Sequence, residues 1–111
     1  MAGKFVLSNA ANSQYRFVLK AGNGETILTS ELYASKAGAQ NGIASVKENA
    51  PHDARYEKKN AANGSPMFNL KAANGQIIGT SEQYSSTAAR DNGITSVKSN
   101  APGAATEDKT A

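Results

Sequence analysis

The chain has 111 residues, 12 Lys/Arg against 9 Asp/Glu, a net charge of +3 and no cysteine. That length suits a single domain. The missing cysteine excludes disulfides, thiolate catalysis and cysteine-ligated zinc, and no apolar run approaches the ~20 residues of a membrane helix. The positive charge is spread along the chain without a basic block longer than Lys58-Lys59, so it points only weakly to an anionic partner. The N-terminal MAGKFVLSNA lacks the apolar core of a secretory signal, which makes the cytoplasm the expected compartment and leaves no membrane association to expect.

In chain order, Lys4–Ser8 is a short apolar run closed by the Asn-rich loop Asn9–Gln14, and reads as a strand. Tyr15–Lys20 alternates, with Tyr15, Phe17 and Leu19 on one face, as a half-buried strand does. Asn23-Gly24 predicts a hairpin with a type I′ turn into a return strand over 26–30. On that strand Ile27 points inward, leaving Leu28 on the other face with Val18 and Thr26. Ser35 is placed to cap a helix of about 14 residues, whose stripe is Ala39, Ile43, Val46 and Ala50 and whose stop is Pro51. Asn41-Gly42 interrupts that helix with a turn signal. The apolar period runs through it, and the glycine predicts a close approach of the helix to the sheet.

The plan then repeats. Residues 17–51 align with 68–102 without a gap at a constant offset of 51, with 22 of the 35 paired positions identical, so the chain is an internal duplication. The second unit predicts strands near 55–59, 67–71 and 77–81, a turn at Asn74-Gly75, and a helix near 87–100 capped by Ser86. Pro66 belongs at a strand start or an edge. Each unit, 4–51 and 55–102, is β-β-β-α. A unit of about 50 residues is marginal alone, so the two are expected to share one core in a single domain over 1–102. The expected fold is α+β: one antiparallel sheet with both helices packed on one face, pseudo-twofold symmetric and monomeric. Residues 103–111 have no periodicity and read as a disordered tail.

The stretches Leu19–Ser35 with Asn41–Ala50, and Leu70–Ser86 with Asn92–Ala101, carry the pattern L-K-A-x-N-G-x-x-I-x-x-S-E-x-Y-x-S, then N-G-I-x-S-V-K-x-N-A. This resembles the YegP-like family of small bacterial proteins in its two-repeat form, and the resemblance covers nearly the whole chain. It implies β-β-β-α units about a shared sheet. It implies no activity, because that family is uncharacterised. Ala73 and Thr87 depart from the first copy, which has Gly22 and Lys36 there.

Among polar residues shared by both copies, turns, caps and helix ends account for Asn23/Asn74, Ser35/Ser86 and Asn49/Asn100, the last in the left-handed conformation common at helix C-termini. Candidate ligand contacts are the pairs Lys20/Lys71, Glu31/Glu82, Tyr33/Tyr84 and Lys47/Lys98. An enzyme finds little support. The one histidine, His52, sits in the linker and has no copy, carboxylates lack metal-loop spacing, and Asn-Gly is no phosphate loop. No catalytic residue, cofactor or metal is implied. Two binding readings follow. The leading one is a non-catalytic accessory module that engages a protein through the uncovered sheet face or an edge strand such as Lys4–Ser8. The alternative is weak binding of nucleic acid or another anion, with lysines on phosphates and tyrosines stacking.

Overall fold

The computed structural model describes residues 3–110. Its elements are β1 (Lys4–Asn9), β2 (Tyr15–Lys20), β3 (Thr26–Thr29), α1 (Lys36–Asn49), β4 (Tyr56–Asn60), β5 (Pro66–Lys71), β6 (Ile77–Thr80), α2 (Thr87–Asn100) and β7 (Ala105–Asp108). They form one sheet in the order β4-β5-β6-β3-β2-β1-β7. Helix α1 lies against β2, β5 and β6, and α2 against β3 and β5, so each helix bridges both units and neither unit has a core of its own. The two-layer α+β architecture and the duplicated strand–helix order are those the periodicities predict.

The units meet where Thr29 pairs with Thr80, two residues at the 51-residue offset, which puts the pseudo-twofold axis between β3 and β6. Phe5, Leu7, Phe17 and Leu19 from one unit and Phe68 and Leu70 from the other fill the helix side of the sheet at 1% exposure or less. Truncating one such phenylalanine to alanine costs about 3–5 kcal/mol, much of a small domain's stability.

Six strands are antiparallel, as expected, but the sheet is mixed. Residues 105–108 of the expected tail form β7, which lies parallel to β1 with Lys4 opposite Ala105 and Leu7 opposite Asp108. The cause is topological. After α1 the chain runs into β4, but the symmetry-equivalent place after α2 is already held by β1, so the chain continues beside it. Lys4–Glu107 (2.8 Å) and Lys36–Asp108 (2.6 Å) then fasten the strand. Ala111 lies outside the described residues.

Three local expectations are corrected. The β2–β3 turn is closed by the Gly24 N–H donating to the Ala21 carbonyl (2.9 Å), and only Gly24 takes positive φ, at 88°. It is therefore a turn over Gly22-Asn23 followed by a left-handed glycine, because the Asn23 side chain accepts from the Glu25 amide instead of adopting the left-handed region. A β-bulge between Leu19 and Lys20 leaves Leu28 opposite Leu19 and turns it into the core, with Ile27 also buried. The same bulge at Leu70/Lys71 sends Gly79 inward. Finally, Asn49 and Asn100 are right-handed. Each amide donates back to the carbonyl four residues earlier, at Ser45 (2.8 Å) and Ser96 (2.7 Å). Ser35 and Ser86 cap as predicted, accepting from the Gly38 and Ala89 amides at 3.0 Å, a contact of about 1 kcal/mol each.

Candidate functional site

The four candidate pairs do not converge. Tyr33 stacks on Phe17 (centroids 6.1 Å apart, 15° between planes), and Tyr84 stacks on Phe68 (6.3 Å, 10°). The hydroxyl end of each ring is pressed onto a helical glycine, Gly42 or Gly93. Burial raises both phenol pKa values, with neighbouring Glu31 raising Tyr33 further and Glu82 and Glu25 raising Tyr84. The Tyr33 backbone exchanges two 2.8 Å hydrogen bonds with Tyr15, whereas Tyr84 only donates to Pro66, which has no N–H to return. These rings prop strand against helix, each half-buried with one face on a core phenylalanine and its hydroxyl end on a glycine. Glu31 and Glu82 are exposed beside them. A groove of about 400 Å³ between α2 and the β2–β3 turn does bring Glu82, Tyr84 and Glu25 together.

The lysines divide between the two sides of the sheet. Lys47 and Lys98 lie on the helix side, over the rings of Phe5 (5.8 Å) and Tyr56 (5.7 Å), and Lys98 also pairs with Asp53. Lys20 and Lys71 lie on the uncovered face. Cross-strand register places Lys4, Arg16, Lys20, Lys59 and Lys71 there with the carboxylates Glu57 and Glu107. That face is thus polar and net positive around Val6, Val18, Met67 and Ile77. On the second unit it is tied into a network. Lys71 and the amide of buried Asn69 both donate to Glu57 (3.2 Å each), and Thr80 donates to Asn69 (3.0 Å). These hydrogen bonds lower the Glu57 pKa, that from Asn69 most. The first unit has Val6 and Val18 at the corresponding places.

The two edges of the sheet are unequal, and this separates a candidate site from the rest of the surface. The β1 edge, expected to be open, is covered by β7. Among the described residues no strand pairs with the outer edge of β4, where Lys58, Lys59 and Asn60 are exposed. Between β4 and α2 opens a cleft of about 590 Å³, lined by Tyr56 and Lys58 from the strand and Asp91, Ile94, Thr95 and Lys98 from the helix. Tyr56 is half-buried, its hydroxyl donating to the Ala50 carbonyl at the end of α1 (2.8 Å), and burial pushes its pKa up. Lys58 bridges to Asp91 (3.2 Å) and holds that carboxyl below its ordinary range. The sequence reading passed over this edge, although a strand ending Glu-Lys-Lys-Asn, with no apolar residue after Tyr56, has the charged character that protects sheet edges.

Among the described residues, no cluster of three or more His, Asp or Glu side chains is placed to hold a metal ion, and none of the described helices is long and apolar enough to cross a membrane.

A family model described as a domain of unknown function, DUF1508, matches residues 10–57 and 61–108. The chain is 61% identical over 110 residues to the UPF0339 protein YegP of Escherichia coli O157:H7, covering 99% of this chain and 100% of that protein. It is 64% identical over 110 residues to a UPF0339 protein of Bordetella pertussis, covering 99% and 98%. Two solution NMR structures share its fold. UPF0339 protein SO3888 from Shewanella oneidensis has a TM-score of 0.92 at 62% identity, covering 99% of this chain and 93% of that one. The E. coli protein of unknown function yegP has a TM-score of 0.93 at 59% identity, covering 99% and 95%.

Proposed function

The chain belongs to the DUF1508 family in its tandem two-repeat form, and from that premise we propose that it is a non-catalytic accessory module that binds another protein. The observation that carries this reading is the contrast between the two outermost strands: among the described residues β7 and β4 each pair on one side only, and it is β4 that borders the cleft against α2 and carries exposed lysines. An unpaired strand edge offers a row of backbone donors and acceptors, which an extended segment of a partner can satisfy. The compartment in which we place this activity is the cytoplasm.

A site-specific photo-crosslinking experiment in cells tests it. A photoreactive residue at Asn60, on the open edge, is compared with one at Ser99, exposed on α2. The expected result is a discrete protein adduct from position 60 and none of that size from 99. Equal patterns from both positions, or no adduct from 60, overturn the reading.

Anion binding on the uncovered face stands second, favoured by its five cations against two carboxylates. It receives no help from Tyr33 and Tyr84, whose rings are packed away on the other side. If it holds, Lys20→Glu with Lys71→Glu abolishes oligonucleotide binding. Unchanged affinity removes it.

A further inference from the structure

We propose that the partner at the β4 edge is an acidic extended segment, added parallel to β4 in the way that β7 is added to β1. This rests on the protein-binding reading above and names the chemistry of its partner.

The molecule holds a worked instance of the contact. The pseudo-twofold axis superposes β1 and β4 in role, each the outermost strand of its three-strand unit. On β1 the chain seats a four-residue strand, Ala105-Thr106-Glu107-Asp108, in parallel register, and the Lys109 amide continues the ladder by donating to the Leu7 carbonyl (2.8 Å). That strand is short and largely exposed, with no large apolar side chain. What holds it is backbone pairing and its two carboxylates, Glu107 on Lys4 and Asp108 on Lys36. An edge of this kind therefore accepts a polar, acidic segment on hydrogen bonds and charge, with only the small buried Ala104 before it as an apolar anchor.

At the 51-residue offset, Leu7 and Ser8 become Lys58 and Lys59 on β4. A segment in the β7 register would set its residue corresponding to Asp108 opposite Lys58, and the following one beside Lys59. Lys58 already bridges to Asp91 (3.2 Å), so an acid placed opposite it shares that lysine, and the carboxylate of Glu57 is engaged by Asn69 and Lys71. The edge so disposed calls for acids at those two successive positions and a small or neutral residue opposite Glu57. The cleft between β4 and α2 leaves room on the helix side for the segment's alternate side chains.

The test is a titration of the full isotope-labelled chain, followed by amide NMR and amide exchange. The probe is a synthetic peptide of the sequence Pro102–Thr110 carrying E107A and K109E, which leaves acids only opposite Lys58 and beside Lys59, next to a control with both acids replaced by lysine. The expected result is shifts along Tyr56–Asn60 with slowed exchange of its edge-facing amides, and affinity about tenfold lower in K59E. The K58E variant should show the same loss, and a well-dispersed spectrum certifies the fold of each. Shifts confined to β1, from displacement of the chain's own β7, overturn the assignment to β4. Binding of the lysine control at β4 overturns the acidic class but leaves the edge reading standing. If neither peptide perturbs β4, this proposal falls, and the crosslink from position 60 decides the edge reading separately. Lysine shifts given equally by an oligonucleotide, without slowed exchange of edge amides, would mark simple anion attraction and overturn strand addition.

Discussion

Tyr84 lies with the hydroxyl end of its ring on the backbone of Gly93, so closely that a Cβ added there would stand 2.6 Å from Tyr84 Cζ. Tyr33 and Gly42 repeat the relationship at 2.7 Å. In both copies the glycine follows its tyrosine by nine residues. An exposed helical glycine replaced by alanine gains about 1 kcal/mol. Here the new methyl must push a ring stacked on the core, which costs about 1–3 kcal/mol. Gly93→Ala is therefore expected to destabilise the fold, and Tyr84→Leu in the same chain to recover part of the loss. Urea unfolding of the two single variants and the double variant measures the coupling. A stabilised Gly93→Ala would mean the contact is absent.

Leu28 and Gly79 occupy corresponding places on β3 and β6, and the leucine fills the space the glycine leaves. A Cβ on Gly79 would sit 2.6 Å from Leu28 Cγ and Cδ2, and Leu28 is 1% exposed and has nowhere to retreat. Two leucines would collide at the axis and two glycines would leave a void. Gly79→Ala should cost about 1–3 kcal/mol and Leu28→Gly about 3–5 kcal/mol. The transposed variant, Leu28→Gly with Gly79→Leu, should be more stable than the sum of its parts. Thermal melts of the set test this, and simple additivity would rule it out.

In the β1–β2 connection Asn12 and Ser13 take φ of 60° and 61°. At the 51-residue offset, the second unit places Gly64 where the first has Ser13, at φ 87°. Left-handed backbone strains a residue with a Cβ by about 1 kcal/mol, partly offset by the greater freedom of glycine in the unfolded chain. Ser13→Gly should stabilise by roughly 0.5 kcal/mol on balance. Chemical denaturation reads the sign, and a clear loss of stability would contradict the strain.

Acid should release β7 before the rest of the sheet. Lys36, with Thr110 assisting, holds the Asp108 carboxyl well below the ordinary carboxylate range. Lys4 in hydrogen-bond contact does the same for Glu107, helped by the charge of Lys109. Carboxylates depressed in the fold stabilise it above their unfolded pKa of about 4, and that contribution is lost as pH falls through the folded values. Amide exchange at Ala105–Lys109 should accelerate below about pH 4 while β2 and β5 stay protected. Uniform acceleration across the sheet would refute a local release.

The duplication, the helices and six strands were legible because burial writes a period into the sequence: Phe17 with Leu19, Phe68 with Leu70, and the stripe through Ile43 and Val46. Strand β7 was not, because backbone pairing and ion pairs to distant Lys4 and Lys36 hold it, and neither leaves an apolar pattern. The inward turn of Leu28 was hidden for a related reason, since one bulge at Leu19/Lys20 reverses the alternation beyond it. As for the candidate residues, Tyr33 and Tyr84 recur because Gly42 and Gly93 recur, whereas the edge at Lys58-Lys59 has no repeat to draw attention to it.

The strand order also bounds how many partners a chain can take. A sheet open at both ends can grow in either direction and propagate into a filament. This one has outermost strands of opposite character, β7 with its two carboxylates at one end and β4 with its two lysines at the other. If the proposed segment is acidic, it is accepted at β4 and repelled by the carboxylates of β7, which would give one partner to a chain.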